Sequence, residues 1–180
     1  MIKVGIVGAG GYAGVNLLGI LCGHPNAKVA WLMSEPAHAG KNIAQLFPHL
    51  KGFIDMPVIE TKLGEKELGK VDVVFTATPH GMAMALIPKL LQAGKKAIDI
   101  SADFRITDPK VFEAWYATPH KAVPELKTAV YGLPELYKEA IKEAELIANP
   151  GCYPTVSILS LAPLLKEKLI DPETIIIDAK

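Results

Sequence analysis

Short apolar runs recur along the chain, and most are followed by a stretch whose apolar residues fall three or four positions apart. Residues 2–7, IKVGIV, read as a buried strand. After a run of glycines, YAGVNLLGILCGH places Val15, Leu18 and Cys22, with Leu17 and Leu21, on one face of a predicted helix. Further strands are predicted at 28–33 (KVAWLM), 71–77 (VDVVFTA), 95–101 (KKAIDIS) and 144–149 (AELIAN), with helices over 81–93 and 153–168. Pro163 falls inside the last of these, where it lacks an N–H and crowds the Leu159 carbonyl, a matter of packing rather than chemistry. Between 34 and 70 the pattern is broken by Pro36, Pro48 and Pro57, and an inserted helix or hairpin is expected there. The final run, TIIIDAK (174–180), is strongly β-prone and has no turn or helix after it.

Strands apolar on both faces that alternate with helices predict a parallel sheet covered on both sides, because parallel strands need crossovers and the crossovers supply the cover. The expected class is therefore doubly wound α/β. Half of the 180 residues are hydrophobic, enough for a domain with its own core and too many for a disordered chain. Nineteen basic and nineteen acidic side chains cancel, and no block of like charge marks a nucleic-acid or membrane surface, so a small-molecule partner is expected. The start lacks the pattern of a secretory signal, and no apolar run reaches the roughly 18 residues of a membrane span, which makes the cytoplasm the expected location. In a reducing compartment the two cysteines, Cys22 and Cys152, would remain thiols.

In an open parallel sheet the ligand lies beyond the carboxyl ends of the strands, so the residues after each strand carry the chemistry. The first loop, Gly8-Ala9-Gly10-Gly11-Tyr12-Ala13-Gly14, parses as G-x-G-x-x-A or as G-x-x-G-x-x-G, and either form puts a glycine turn at a helix N-terminus. Backbone without Cβ atoms lets a pyrophosphate approach, and the N–H groups and helix dipole there favour an anion. Ser34 and Glu35 end the second strand. Glu35 stands near the usual place of the acid that bonds the ribose 2′-hydroxyl of NAD, whereas Ser34, with Lys41, suits a 2′-phosphate; a solvated glutamate is the plain alternative. After the third strand, Thr76, Thr78 and Pro79 are candidate cofactor contacts, and His80 is either an acid/base or an ordinary hydrogen-bonding group. Ser101 and Arg105 follow the fourth strand. Arg105 is the only arginine beside eighteen lysines, and its planar fork fits a carboxylate or phosphate; an ion pair with Asp103 or Asp108 is the competing reading.

The fifth loop is ANPGCYPT (148–155), which sets Cys152 at the start of a predicted helix behind Asn149, Pro150 and Gly151. A helix N-terminus stabilises a thiolate, the nucleophilic form of cysteine, so Cys152 is a candidate nucleophile. Cys22, amid Leu17, Leu18 and Leu21 in a helix, is expected to be a core thiol.

The glycine turn GIVGAGGYAG, the loop SADFR, the segment YGLPEL (131–136) and ANPGCYPT together resemble the N-acetyl-gamma-glutamyl-phosphate reductase family over residues 1–180. The resemblance implies a Rossmann-type, doubly wound, mostly parallel α/β sheet truncated before a second α+β domain. On that basis residues 1–173 form the NAD(P)-binding domain and 174–180 the first strand of a missing substrate and dimerisation domain. It further implies NADPH-dependent reductive dephosphorylation of N-acetylglutamyl 5-phosphate to the 5-semialdehyde in arginine biosynthesis, with Cys152 as nucleophile. Gly8, Gly11, Tyr12, Ala13, Gly14, Ser34, Thr76, Thr78, Pro79 and Ser101 would hold NADP(H), and Arg105, Asn149 and Gly151 the substrate. No metal is expected, and the full-length enzyme would be a homo-oligomer. Glu35 departs from the arginine often found at that place in the family and leaves NAD(H) open. None of His24, His38, His49, His80 and His120 matches the family's acid/base histidine, so little turnover is expected of this chain alone. A non-catalytic nucleotide-binding or sensor module, or a reductase of a related acyl phosphate such as aspartyl phosphate, is the alternative.

Overall fold

The computed structural model describes residues 1–179. Seven strands form one sheet in the order β3-β2-β1-β4-β5-β7-β6: β1 (Ile2–Val7), β2 (Ala27–Ser34), β3 (Val58–Glu60), β4 (Val73–Thr76), β5 (Lys96–Asp99), β6 (Val130–Tyr131) and β7 (Leu146–Ala148). Every neighbouring pair is parallel. The five apolar runs supply β1, β2, β4, β5 and β7; β1 keeps its predicted bounds, β2 gains a residue at each end, and the other three are shortened where loops begin. The edge strands β3 and β6 lie outside the expected set, since two or three residues cannot display a period.

Side-chain alternation along the strands divides the core in two. Val4 and Ile6 face α1 (Tyr12–Cys22), whose Val15, Leu18 and Leu21 close that side with Leu32 and Val58. Val7, Trp31 and Met33 point the other way, toward α4 (Ala83–Gln92) and its Met84, Ile87 and Leu90. Leu18 and Ile87 are fully buried, so truncating either to alanine would cost about 2–5 kcal/mol. The same layer takes Phe112 of α5 (Pro109–Tyr116) and Leu126 of α6 (Val123–Leu126).

The insertion expected in the region 34–70 is helical rather than a hairpin. It contains α2 (Ile43–Leu46), a 3-10 turn at Pro48–Leu50, β3 and α3 (Glu65–Leu68), because β3 runs parallel to β2 and needs a crossover to reach its place. The helices α7 (Pro134–Glu143) and α8 (Cys152–Lys166) complete the fold, and Pro163 lies within α8 without ending it.

One expectation changes, that of Cys22. Cys22 is exposed: the buried stripe of α1 runs through Gly14, Val15, Leu18 and Leu21 and ends there, and Cys22 is the last helical residue before Gly23. The β-prone tail makes no β-ladder among its described residues: a 3-10 turn at Pro172–Thr174 leads into residues 175–179, with Ile176 and Ile177 exposed. Strand propensity needs a partner edge, and residues 175–179 are not part of the seven-stranded sheet. Lys180, the last residue of the predicted strand, lies outside the described residues.

Candidate active site

The parallel ladders align one row of residues across the sheet near the carboxyl ends of the strands: Met33, Val7, Thr76, Asp99, Ala148 and Tyr131. The loops that leave this edge build the site. Strand order reverses between β1 and β4, so the loops after them diverge and open a crevice. It is lined by Gly8, Gly10 and Gly11, by Ser34, Glu35 and Pro36, by Glu60 and Thr61, and by Ala77, Thr78, Pro79 and Met82, around about 360 Å³.

Its floor requires glycine. Gly8 has φ +87°, and a Cβ there would overlap the Ala77 carbonyl; one at Gly14 would overlap the Gly8 carbonyl. Gly11 is the N-cap of α1 and no side chain caps that end, so the first N–H groups of the helix have no intrahelical acceptor. Across the crevice, Thr78 Oγ1 is buried with no hydrogen-bond partner, an unmet polar group in the wall. A side-chain-free floor at a helix N-terminus fits an anionic ligand such as a dinucleotide pyrophosphate.

At the far end of the crevice, the Ser34 carbonyl accepts from both N–H and Oγ1 of Thr61, at 3.1 Å each. Ser34 Oγ lies 3.2 Å from His38 Nδ1, and that nitrogen is 3.7 Å from Glu35 Oε1. A Cβ on Gly10 would strike both Ser34 Oγ and the His38 ring, so the glycine turn and the β2 loop close on each other at this point.

Toward the centre of the sheet two buried carboxylates shape the edge. Asp99 accepts from Thr76 Oγ1 (2.8 Å), Ser101 Oγ (2.8 Å) and Ser101 N–H (3.1 Å). Burial raises its pKa above the ordinary carboxylate value, against the lowering effect of these bonds. Asp103 accepts from Gly81 N–H with both oxygens (2.8 and 2.9 Å) and from Ala83 N–H (3.1 Å), capping α4 from a different loop. Its carbonyl faces His120 Nε2 at 2.7 Å. Because Nδ1 of His120 accepts from Ala122 N–H, Nε2 carries the proton and donates.

Arg105 makes neither of the ion pairs considered for it. Its Nε donates to the Asn149 carbonyl and its Nη2 to the Ile100 carbonyl, both at 2.7 Å, which ties the β5 loop to the β7 loop. Nη1 lies where it would be 3.1 Å from a Cβ on Gly151, so the bare Gly151 backbone lets the guanidinium approach the start of α8. Asn149 N–H donates to the Asp99 carbonyl, and Thr155 returns its N–H and hydroxyl to the Gly151 carbonyl. Cys152 opens the helix this network fixes and is exposed. Tyr131, at the edge of the aligned row, feels the Arg105 charge, which lowers its pKa; the larger effect of burial raises it overall.

The structure thus gathers Gly8, Gly11, Ser34, Thr78 and Pro79 in the crevice and Arg105, Asn149, Gly151 and Cys152 in a second cluster on the same sheet edge. Tyr12 and Ala13 begin α1, with Tyr12 exposed, and Gly14 packs beneath the turn. The hydroxyls of Thr76 and Ser101 do not face the crevice; both are buried on Asp99. His80 is exposed with its ring 5.5 Å from that of Tyr116. Residues outside the sequence expectation are Glu60, Thr61 and Met82 in the crevice, His38 beside it, and Asp99, Asp103 and Tyr131 along the edge. For Glu60 a local signal existed, the β-branched VIE after Pro57.

A doubly wound sheet with a glycine-floored crevice at its switch point defines an α/β nucleotide-binding domain, here with a cysteine helix on the same edge. Residues 3–144 match the family described as semialdehyde dehydrogenase, NAD binding domain, and the chain belongs to that family. Over all 180 residues it is 49% identical to an N-acetyl-gamma-glutamyl-phosphate reductase of Desulforamulus reducens and 51% identical to that of Geotalea daltonii. It covers 51% of each, so the chain spans about half the length of the curated relatives it matches. Among solved structures, aspartate semialdehyde dehydrogenase II of Vibrio cholerae, complexed with ASA, aligns at TM-score 0.69 and 20% identity, over 92% of this chain and 47% of that one. The aspartate semialdehyde dehydrogenase of Candida albicans with NADP aligns at 0.66 and 18%, over 93% and 47%. At such identities the two share the fold.

Proposed function

We propose that this chain is the cofactor-binding and nucleophile-bearing part of an enzyme that reductively dephosphorylates N-acetyl-L-glutamyl 5-phosphate to the 5-semialdehyde, a step of arginine biosynthesis. The observation that carries the reading is the meeting, on one sheet edge, of the glycine-floored crevice and the Arg105–Asn149–Gly151–Cys152 cluster. The names of relatives 49–51% identical over the whole chain support it.

In this reading Gly8, Gly11 and the start of α1 receive the pyrophosphate, and Ser34, Thr78 and Pro79 flank the rest of the dinucleotide. The family resemblance implies NADP(H); NAD(H) is the other candidate. Once bound, the cofactor supplies the hydride for reduction at the acyl carbon. Cys152 Sγ attacks the acyl carbon, the carbonyl re-forms, and phosphate leaves with the electron pair of its C–O bond, giving a thioester. After reduction the thiolate is expelled and the aldehyde released. Arg105, fixed by two carbonyls, would present Nη1 to the anionic part of the substrate, and backbone N–H groups near Cys152 would stabilise the oxyanion. Residues 174–180 would lead into a further domain that supplies the acid/base group and most of a homo-oligomer contact, in the cytoplasm.

Acylation needs no hydride and isolates the role of Cys152. Mixing the chain with the acyl phosphate and following phosphate release should give a burst of one equivalent that Cys152→Ser removes. Release at the same rate from the variant would refute the nucleophile assignment, and none from either protein would favour a nucleotide-binding module.

A further inference from the structure

We infer that the far end of the crevice selects a dinucleotide whose ribose 2′-hydroxyl is free and turns away one that bears a 2′-phosphate, with Glu35 and Glu60 as the discriminating groups. The inference rests on the dinucleotide reading above and runs against the cofactor that the family resemblance implies.

Two carboxylates reach this end from different strands. Glu35 follows β2, and Glu60 is the last residue of β3, in register with Ser34. Both line the crevice, and no lysine or arginine is among the residues that line it. A 2′-phosphate brings between one and two further negative charges at neutral pH and calls for a cation. Here it would meet two like charges, both exposed, whose repulsion is felt most strongly at low ionic strength. A diol is the complementary group, because hydroxyls donate and carboxylates accept.

His38, beside the crevice, is a side chain able to carry a positive charge. Its Nδ1 is turned to Ser34 Oγ at 3.2 Å and Glu35 Oε1 at 3.7 Å, so that any charge it gains is set against Glu35 rather than offered to the ligand. Its ring also fills the space that a side chain at position 10 would take, which holds the β2 loop against the glycine turn. Lys41, the other cation considered for this place, is exposed and outside the lining.

The test is equilibrium binding of NADH and of NADPH to the 180-residue chain, followed by nicotinamide fluorescence. NADH should bind at least about tenfold more tightly than NADPH. Glu35→Gln and Glu60→Gln should each narrow that ratio by several fold, the double variant should bring it near parity, and Glu35→Arg should invert it, with circular dichroism confirming that each variant is folded. NADPH binding as tightly as NADH to the unaltered chain would overturn the selectivity and leave the dinucleotide reading standing. A ratio unmoved in the double glutamine variant would remove the two carboxylates as its cause. If neither nucleotide binds, the dinucleotide reading fails and this inference falls with it.

Discussion

Asp103→Ala separates the cap of α4 from everything else the SADFR loop does. The carboxylate is fully buried and accepts Gly81 N–H and Ala83 N–H, which have no other acceptor among the described residues. Leaving one buried N–H unmet costs about 1–3 kcal/mol and losing a helix cap about 0.5–2, with overlap between the two, so a total of about 2–4 kcal/mol is expected. For a domain of this size each kcal/mol moves Tm by roughly 2–4 °C, which gives a fall of about 4–16 °C in thermal unfolding followed at 222 nm. Asp103→Asn retains one acceptor oxygen and should fall about half as far. A drop below about 1 kcal/mol for the alanine variant would mean that water replaces the carboxylate, and the argument from buried donors would be wrong.

Two further outcomes follow from the same edge and from α1. Burial lifts the pKa of Asp99 above its ordinary 3.8, so the folded state favours the protonated form and the ionised carboxylate costs stability once pH exceeds both the unfolded and the folded values. Asp99→Asn should therefore gain on the unaltered chain as pH rises from 4 to 7 in urea unfolding; a constant difference would show that the three donors fully offset burial. Burial also raises the pKa of Cys22 above 9.0 although the residue is exposed. In Cys152→Ser, alkylation of Cys22 should proceed with a midpoint above that value, and a midpoint below it would contradict the local environment described.

What could be read from the chain followed from the range of each interaction. Buried parallel strands are near-continuous apolar runs, so β1, β2, β4, β5 and β7 were visible, whereas β3 and β6 exist only through pairing with Leu32–Ser34 and with Ile147 and Ala148. The start of α5 was in principle legible, with Asp108 as N-cap and Pro109 after it, but its apolar face is short. The glycine turn is a local device and stood out. Glu60 reaches the crevice through sheet register and His38 through a contact with Gly10, neither of which leaves a spacing signature. Asp99, inside a predicted strand, and Asp103, in the loop after it, carry no local sign of their burial. Cys22 had the right helical spacing for a core position, but the buried stripe of α1 ends at Leu21.

The helix that carries Cys152 has no fully buried residue along its length, and Pro163 removes one of its backbone bonds. Its first turn is the exception, held to the sheet through Asn149 and Arg105 and closed by the Thr155 bonds to Gly151. Local opening therefore begins at the Lys166 end and travels toward the thiol, and amide exchange along α8 should be graded, fastest beyond Pro163 and slowest next to Cys152. Cys152 sits on the clamped end of a lever whose other end is loose.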